Sequence, residues 1–172
     1  MDKDDKKTKL QQAVARIGEE IASVHADDVD VMARFPVETI SALREQAVLS
    51  AAVPEELGGG GCDICTLTAI CESLGQHCAA SAMILAMHYI QVASIAKHCG
   101  DDTDWLDYLR SIVDQQRLIA SVTSEDGVGG EMRRSIAGVE LEGDRFKLLK
   151  KAMTISYGEQ ADDLLITARR NE

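Results

Sequence analysis

Aromatic side chains are scarce in this sequence. Only 3% of the 172 residues are Phe, Trp or Tyr, although 45% of the residues are apolar. A core can therefore form, but it must be built from aliphatic side chains, which is more typical of packed helices than of a β-sandwich. The composition predicts a globular and mainly helical protein.

Basic residues are also few, and the formal net charge is −11. No Lys or Arg cluster of the kind that holds a phosphate backbone is present, so nucleic acid is not an expected partner, and the same lack disfavours an acidic membrane surface. The opening segment, residues 1–9, is charged and polar, without the apolar run of an export signal. We expect a cytoplasmic protein.

The five cysteines are an odd number, and without an export signal they are expected to be reduced thiols. Cys62 and Cys65 form a Cys-x-x-Cys pair. A structural zinc site needs four ligands, usually as two such pairs, and the second pair is missing. The sequence therefore predicts no metal site.

Five segments have helical periodicity. Apolar residues recur at steps of three and four from Leu10 to Val24, a second helix can start at Pro36 and end near Leu49, and Asp63 is a plausible N-cap for a third. The fourth and fifth segments are residues 79–99 and a stretch that begins near Trp105. The four consecutive glycines of residues 58–61 predict a loop between the second and third helices.

The fourth segment is apolar on nearly every face. This pattern predicts a central helix that other elements surround on all sides. A membrane span is the competing interpretation, but Ser81, His88, Gln91 and Ser94 interrupt the run, so we expect no membrane partner. His88 is expected to be a hydrogen-bonded core residue.

After Arg117 the pattern changes to short strands. Residues 118–122, 136–141, 146–149 and 164–168 are apolar or alternating, with a turn at residues 142–145. The predicted fold is α+β: an N-terminal all-α helical domain, residues 1–116, followed by a partial antiparallel β domain, residues 117–172. We expect this sheet to be unfinished, and its unpaired edge predicts self-association into a homo-oligomer.

The order of these elements resembles the acyl-CoA dehydrogenase family over almost the whole chain. The most specific piece is Val-Pro-Glu-Glu-Leu-Gly-Gly at residues 53–59, followed by a helix and the small-residue segment 78–81. A second piece, residues 120–131, resembles the family segment that ends a strand as Thr-Glu-Pro and continues Gly-x-Gly-Ser-Asp around the flavin. A third, residues 153–156, resembles the family's Trp-Ile-Thr/Ser.

The resemblance implies FAD as the cofactor and assigns contacts with it. The residues that fall on the family's flavin segments are Thr123, Ser124, Gly129, Gly130, Thr154 and Ser156. The sequence departs from the family at Asp126, where the family has Pro, at Gly130, where it has Ser, and at Glu131, where it has Asp. Thr154 replaces an aromatic residue that would cover the flavin ring.

The resemblance also implies α,β-dehydrogenation of an acyl-CoA or another small-molecule substrate. Met83, Met87 and Tyr89 are candidates for lining an acyl pocket, by their position on the fourth helix. The family's catalytic glutamate comes from a later helical domain, so no residue here is assigned as catalytic, and the chain alone is expected to be inactive and truncated. A flavin monooxygenase of the same fold and a non-catalytic helical binding or assembly module remain as alternatives.

Overall fold

The computed structural model describes residues 3–128, 131 and 134–170. The helices of this part are α1 (Lys3–Ile17), α2 (Ser23–Val31), α3 (Val37–Glu45), α4 (Ile64–Gly75), α5 (Ala79–His98) and α6 (Thr103–Gln115). The strands are β1 (Ile119–Val122), β2 (Gly138–Glu142), β3 (Arg145–Leu148), β4 (Asp163–Ile166) and β5 (Arg169–Arg170). The predicted α+β fold is confirmed.

The first predicted helix is longer than its apolar stripe. A π-helical turn at Gly18–Ala22 joins α1 to α2 without a break in the helical backbone. Gly18 is buried against the ring of His77, and a Cβ on Gly18 would lie 2.5 Å from the ring carbon Cδ2. Glycine therefore permits the close approach of this turn to the end of α4.

The ends of the next helices follow from local chemistry. The predicted N-cap is confirmed, because an oxygen of Asp63 accepts a hydrogen bond from the backbone N–H of Thr66 at 2.9 Å. Pro36 directly precedes α3, as predicted, but α3 ends at Glu45 rather than near Leu49. The cause is the left-handed backbone of Ala47, whose φ of 54° cannot continue a helix.

The predicted glycine loop is confirmed and folds back on the segment before it. The N–H groups of Gly60 and Cys62 donate to the carbonyl oxygens of Ser50 and Ala51 at 3.0 and 2.9 Å. A Cβ on Gly59 would overlap the backbone of Val53. The glycines are needed here because two stretches of backbone pass in contact.

The substitution Gly59→Ala should lower the free energy of unfolding by roughly 1–3 kcal/mol, the range for an overpacked site, because the new methyl group must displace the Val53 backbone. Gly75→Ala is the matched control. Gly75 is in α4, and its added methyl would meet Ala82 at an ordinary 3.4 Å, so this variant should be neutral or slightly more stable. Urea titration measures both, and equal effects would contradict the proposed contact.

Helix α5 is the central helix, but it is not surrounded on all sides as predicted. It packs against α2, α4, α6 and β1, which bury Leu85, His88 and Val92. Met83 and Ile90, however, are 62% and 60% exposed. The helix is long and apolar enough to cross a membrane, yet half of its apolar window is buried inside the protein, so these criteria alone are weak evidence for a span.

His88 joins three parts of the fold, and its predicted role as a hydrogen-bonded core residue is confirmed. The side chain is fully buried, and its Nε2 lies 2.8 Å from the carbonyl oxygen of Leu49. Its Nδ1 accepts a hydrogen bond from the backbone N–H of Ile119 at 3.1 Å. Because Nδ1 must accept, the proton of the neutral ring is on Nε2. Burial lowers the pKa of His88 to about 4.

The strands form two small sheets. The predicted antiparallel pairing is confirmed for the hairpin of β2 and β3, with Val139 opposite Leu148 and Glu142 opposite Arg145. The pairings of β1 with β4 and of β2 with β5 are parallel, which corrects the expectation of a purely antiparallel sheet. Long connections separate these two pairs in the sequence, and long connections allow strands to run in the same direction.

Two adjacent aspartates attach β4 to the helices. Asp162 accepts hydrogen bonds from the backbone N–H of Leu118 at 2.7 Å and from Arg44 of α3 at 2.9 Å. Asp163 accepts two hydrogen bonds from Arg117, both at 2.6 Å, and one from the Tyr108 hydroxyl of α6 at 3.0 Å. Strand β1 therefore lies between β4 and the helical core.

The burial of His88 predicts a specific dependence of stability on pH. The folded ring stays neutral down to about pH 4, whereas the ring in the unfolded chain binds a proton below its ordinary pKa of 6.5, so unfolding becomes easier as pH falls through this window. A shift of this size corresponds to about 3 kcal/mol. Denaturant titrations at pH 7 and pH 4 measure how far the free energy of unfolding falls between the two pH values. The fall should be smaller by this amount for His88→Gln than for the wild type. Equal dependence would contradict this role.

Candidate functional site

An apolar groove of about 490 Å³ lies between α4 and α5 and is open to solvent along one side. We call it the α4/α5 groove. Its lining residues are Ile64, Leu67, Thr68 and Cys71 from α4, and Ala86, Tyr89, Ile90, Ala93, Ser94, Lys97 and His98 from α5. Helix α5 is apolar on the side that packs against the core and also on the side that the core leaves uncovered. The uncovered apolar side forms a wall of the groove.

The three residues predicted to line an acyl pocket are placed differently. Tyr89 lines the groove, but its hydroxyl donates to the carbonyl oxygen of Val48 at 2.9 Å, so the ring is fixed and the hydroxyl is already used. Burial raises the pKa of Tyr89, which keeps the phenol neutral. Met83 and Met87 are not among the residues that line this groove.

Sequence reasoning missed the other residues of α5 in the groove. Ala86, Ile90, Ala93 and Lys97 are spaced by three and four residues, which places them along one face of the helix. That spacing was visible in the sequence. Helical periodicity could not single it out, however, because apolar residues also occupy the other faces of α5.

The basic side chains of the groove are confined to one end of it. Among the described lining residues there is no carboxylate, and the charged or titratable groups are Lys97, His98, Cys71 and Tyr89. Lys97 and His98 are exposed in the last turn of α5. Burial raises the pKa of the half-buried Cys71 thiol to about 11, so Cys71 is not an activated nucleophile. The groove can hold an apolar group but offers no general base from these residues.

Two of the segments predicted to contact flavin are brought together by the fold. Thr123 and Ser124 directly follow β1, and the Ser124 hydroxyl donates to the carbonyl oxygen of Thr154 at 2.7 Å. The side chains of Ser124, Thr154 and Ser156 are exposed. The predicted contacts at Gly129 and Gly130 lie outside the described residues.

The segments near the end of β1 offer hydroxyl groups that suit a flavin, but they lack an aromatic ring that could stack on it. Hydroxyl groups can hydrogen-bond the edge of an isoalloxazine ring. No aromatic side chain occurs in residues 153–156, and the adjacent Tyr157 is turned inward, since its hydroxyl donates to the carbonyl oxygen of Ile119 at 2.9 Å. Exposed hydroxyl groups are present, whereas a ring that could stack on a flavin is not supplied by this segment.

The cysteines and other potential ligands do not form a metal site within the part of the chain that the structure describes. No group of three or more His, Cys, Asp or Glu side chains is arranged there to hold an ion. All five cysteines are free thiols, with Cys62 and Cys78 buried and Cys65 exposed.

The pKa of Cys71 predicts slow alkylation. At pH 8 only about one in a thousand Cys71 thiols is ionised. Iodoacetamide should therefore modify the exposed Cys65 well before Cys71, as peptide mapping by mass spectrometry over time would show. The variant Cys71→Ser identifies the slow site. Modification of both thiols at the same rate would contradict the proposed environment of Cys71.

Comparison with known families identifies the helical part of the chain. The family model described as acyl-CoA dehydrogenase, N-terminal domain, matches residues 4–116. A short-chain-specific acyl-CoA dehydrogenase of Clostridium acetobutylicum is 24% identical over 159 residues, which is 92% of this chain and 42% of that protein. The chain thus spans less than half the length of this relative.

Solved structures share the fold. Butyryl-CoA dehydrogenase from Megasphaera elsdenii superposes with a TM-score of 0.84 at 19% sequence identity, covering 98% of this chain and 45% of that one. Methanesulfinate monooxygenase MsuC from Pseudomonas fluorescens gives a TM-score of 0.79 at 15% identity, covering 94% and 40%. A dehydrogenase and a monooxygenase are therefore similar to this chain in architecture.

Proposed function

We propose that this chain, which belongs to the acyl-CoA dehydrogenase family, forms the acyl-binding and part of the flavin-binding surface of an FAD-dependent oxidoreductase that acts on an acyl thioester. The observation that carries this proposal is the α4/α5 groove, whose lining is mainly apolar. The family acts on acyl groups, and the groove is suited to an acyl chain. Both observations support an acyl thioester as the substrate class.

The groove is long enough to take an extended acyl chain. From Ala86 to His98 the helix advances about 18 Å at 1.5 Å per residue. Ile90 and Ala93 line the middle of this length, and the polar residues Lys97 and His98 are at one end. Apolar contacts along the groove would hold the chain, while the polar end would lie nearer to water.

A flavin would accept the hydride from the β-carbon of the acyl group. This chain would contribute contacts with it from the hydroxyls of Ser124 and Ser156 and from the backbone near Thr154. The base that removes the α-proton is not assigned to any residue here, because the groove has no carboxylate among its described lining residues. The chain by itself would bind its ligands without oxidising them.

Blocking the groove tests this function. Ala93→Trp should fill the middle of the groove and weaken binding of octanoyl-CoA at least tenfold, measured by calorimetry with added FAD. Ala80→Trp is the matched control, because Ala80 is an exposed residue of the same helix that does not line the groove, and it should bind like the wild type. Equal binding by both variants would contradict the groove as the acyl site.

A monooxygenase of the same fold is the second candidate function. It is favoured by the structural similarity to methanesulfinate monooxygenase and by Thr154, which leaves the flavin without the aromatic cover of the dehydrogenases. Wild-type protein that takes up FAD or FMN, but binds no acyl thioester from a panel of short to long chains, would favour the monooxygenase over the dehydrogenase.

A further inference from the structure

Glu125 and Lys150 form a buried ion pair beside the proposed flavin contacts. Their side chains are only 3% and 5% exposed, and Lys150 Nζ lies 3.2 Å from Glu125 Oε2. The other ion pairs recorded for the described residues, such as Arg44 with Asp162, are much more exposed. A buried pair of charges is costly to desolvate unless further hydrogen bonds satisfy both groups, so its other partners are informative.

The Glu125 carboxylate receives donors from a segment that follows it by ten residues. Its Oε1 accepts from the backbone N–H of Ala137 at 2.8 Å. Its Oε2 accepts from the Ser135 hydroxyl at 2.8 Å and from the backbone N–H of Ile136 at 3.2 Å, in addition to Lys150. One carboxylate therefore fastens residue 125 to residues 135–137.

Lys150 extends the same network to Thr167, the residue that follows β4. Its ammonium group donates to the carbonyl oxygen of Thr167 at 2.9 Å and to the Thr167 hydroxyl at 3.0 Å. The N–H of Asp126 donates to the carbonyl oxygen of Lys151 at 2.9 Å. Residues 125–126 and 150–151 are thus held side by side, immediately next to Ser124 and close to Thr154 in the chain.

The donors around Glu125 favour its charged form. Burial alone would raise the pKa of Glu125, but the hydrogen bonds from Ser135, Lys150 and the two backbone N–H groups outweigh it and hold the pKa below its usual value. A carboxylate has only acceptors, which suits a site where every neighbour donates. The side-chain amide of a glutamine at this position would place its NH₂ group, which is itself a donor, against the donors of its neighbours.

We propose that Glu125 is a positioning residue for the flavin, because its ion pair with Lys150 fixes Ser124 against Thr154 in the arrangement that presents their polar groups to the cofactor. The inference rests on the proposed function, since it takes Ser124 and Thr154 as flavin contacts. Glu125 itself acts through these neighbours and through the segment it fastens.

The substitution Glu125→Gln tests the proposal, with Glu140→Gln as the matched control. Glu140 is exposed on β2, opposite Lys147, so the control makes the same chemical change outside the network. Titration of the chain with FAD, followed by flavin fluorescence, should show at least tenfold weaker binding for Glu125→Gln and unchanged binding for Glu140→Gln. The visible circular dichroism of the bound flavin should also change only for Glu125→Gln. Wild-type affinity and spectrum in that variant would overturn the proposal.

The double variant Glu125→Gln/Lys150→Met guards against misfolding, since it leaves no buried cation without a partner. It should retain the helical circular dichroism and show the same loss of FAD affinity. Wild-type affinity in a folded double variant would overturn the proposal.

Hydrogen exchange separates this proposal from the function on which it rests. In flavin-free protein, the amides of Ile136 and Ala137 should exchange at least tenfold faster in Glu125→Gln and at the wild-type rate in Glu140→Gln. If the wild-type chain takes up no FAD, the proposed function fails, while the exchange rates still show whether Glu125 fastens residues 135–137, the contact on which its positioning role depends. Unchanged exchange at both amides would overturn it.

Discussion

The contacts of His88 hold the helical and β parts of this protein in one arrangement. The ring bridges the carbonyl oxygen of Leu49, in the loop after α3, and the N–H of Ile119, the first residue of β1. Both groups are buried or nearly so, and an unpaired backbone group in that position would cost a substantial part of the stability of a small domain. A side chain that can donate from one nitrogen and accept at the other satisfies both.

The rest of the architecture is consistent with this central contact. Tyr89, the next residue of α5, donates to the carbonyl oxygen of Val48, so two consecutive side chains of the helix bond the same loop. The glycine loop then folds back on residues 50–53, and Leu118 and Ile119 complete the core between α5 and β4. The position of β1, and therefore of Ser124 at its end, depends on packing against α5.

The same helix also explains the candidate site. Its apolar residues cover more of its circumference than the core can bury, and the surplus forms one wall of the α4/α5 groove. A concave apolar surface of this kind is the default candidate for a ligand site. We proposed an acyl chain as the occupant of the groove because its chemistry matches this apolar wall.

Elements with local signals could be predicted without the structure. The N-cap at Asp63, the glycine loop, the five helical segments and the β2–β3 hairpin could all be predicted, because each depends on residues within a few positions of one another. The resemblance to the family also came from contiguous motifs. Tertiary structure alone decided the parallel pairings of β1 and β4, the exposed side of α5 and the partners of Glu125. The strand pairing and the Glu125 contacts join residues at least 10 positions apart, and nothing in a local pattern specifies which distant donor a buried carboxylate or ring nitrogen will meet.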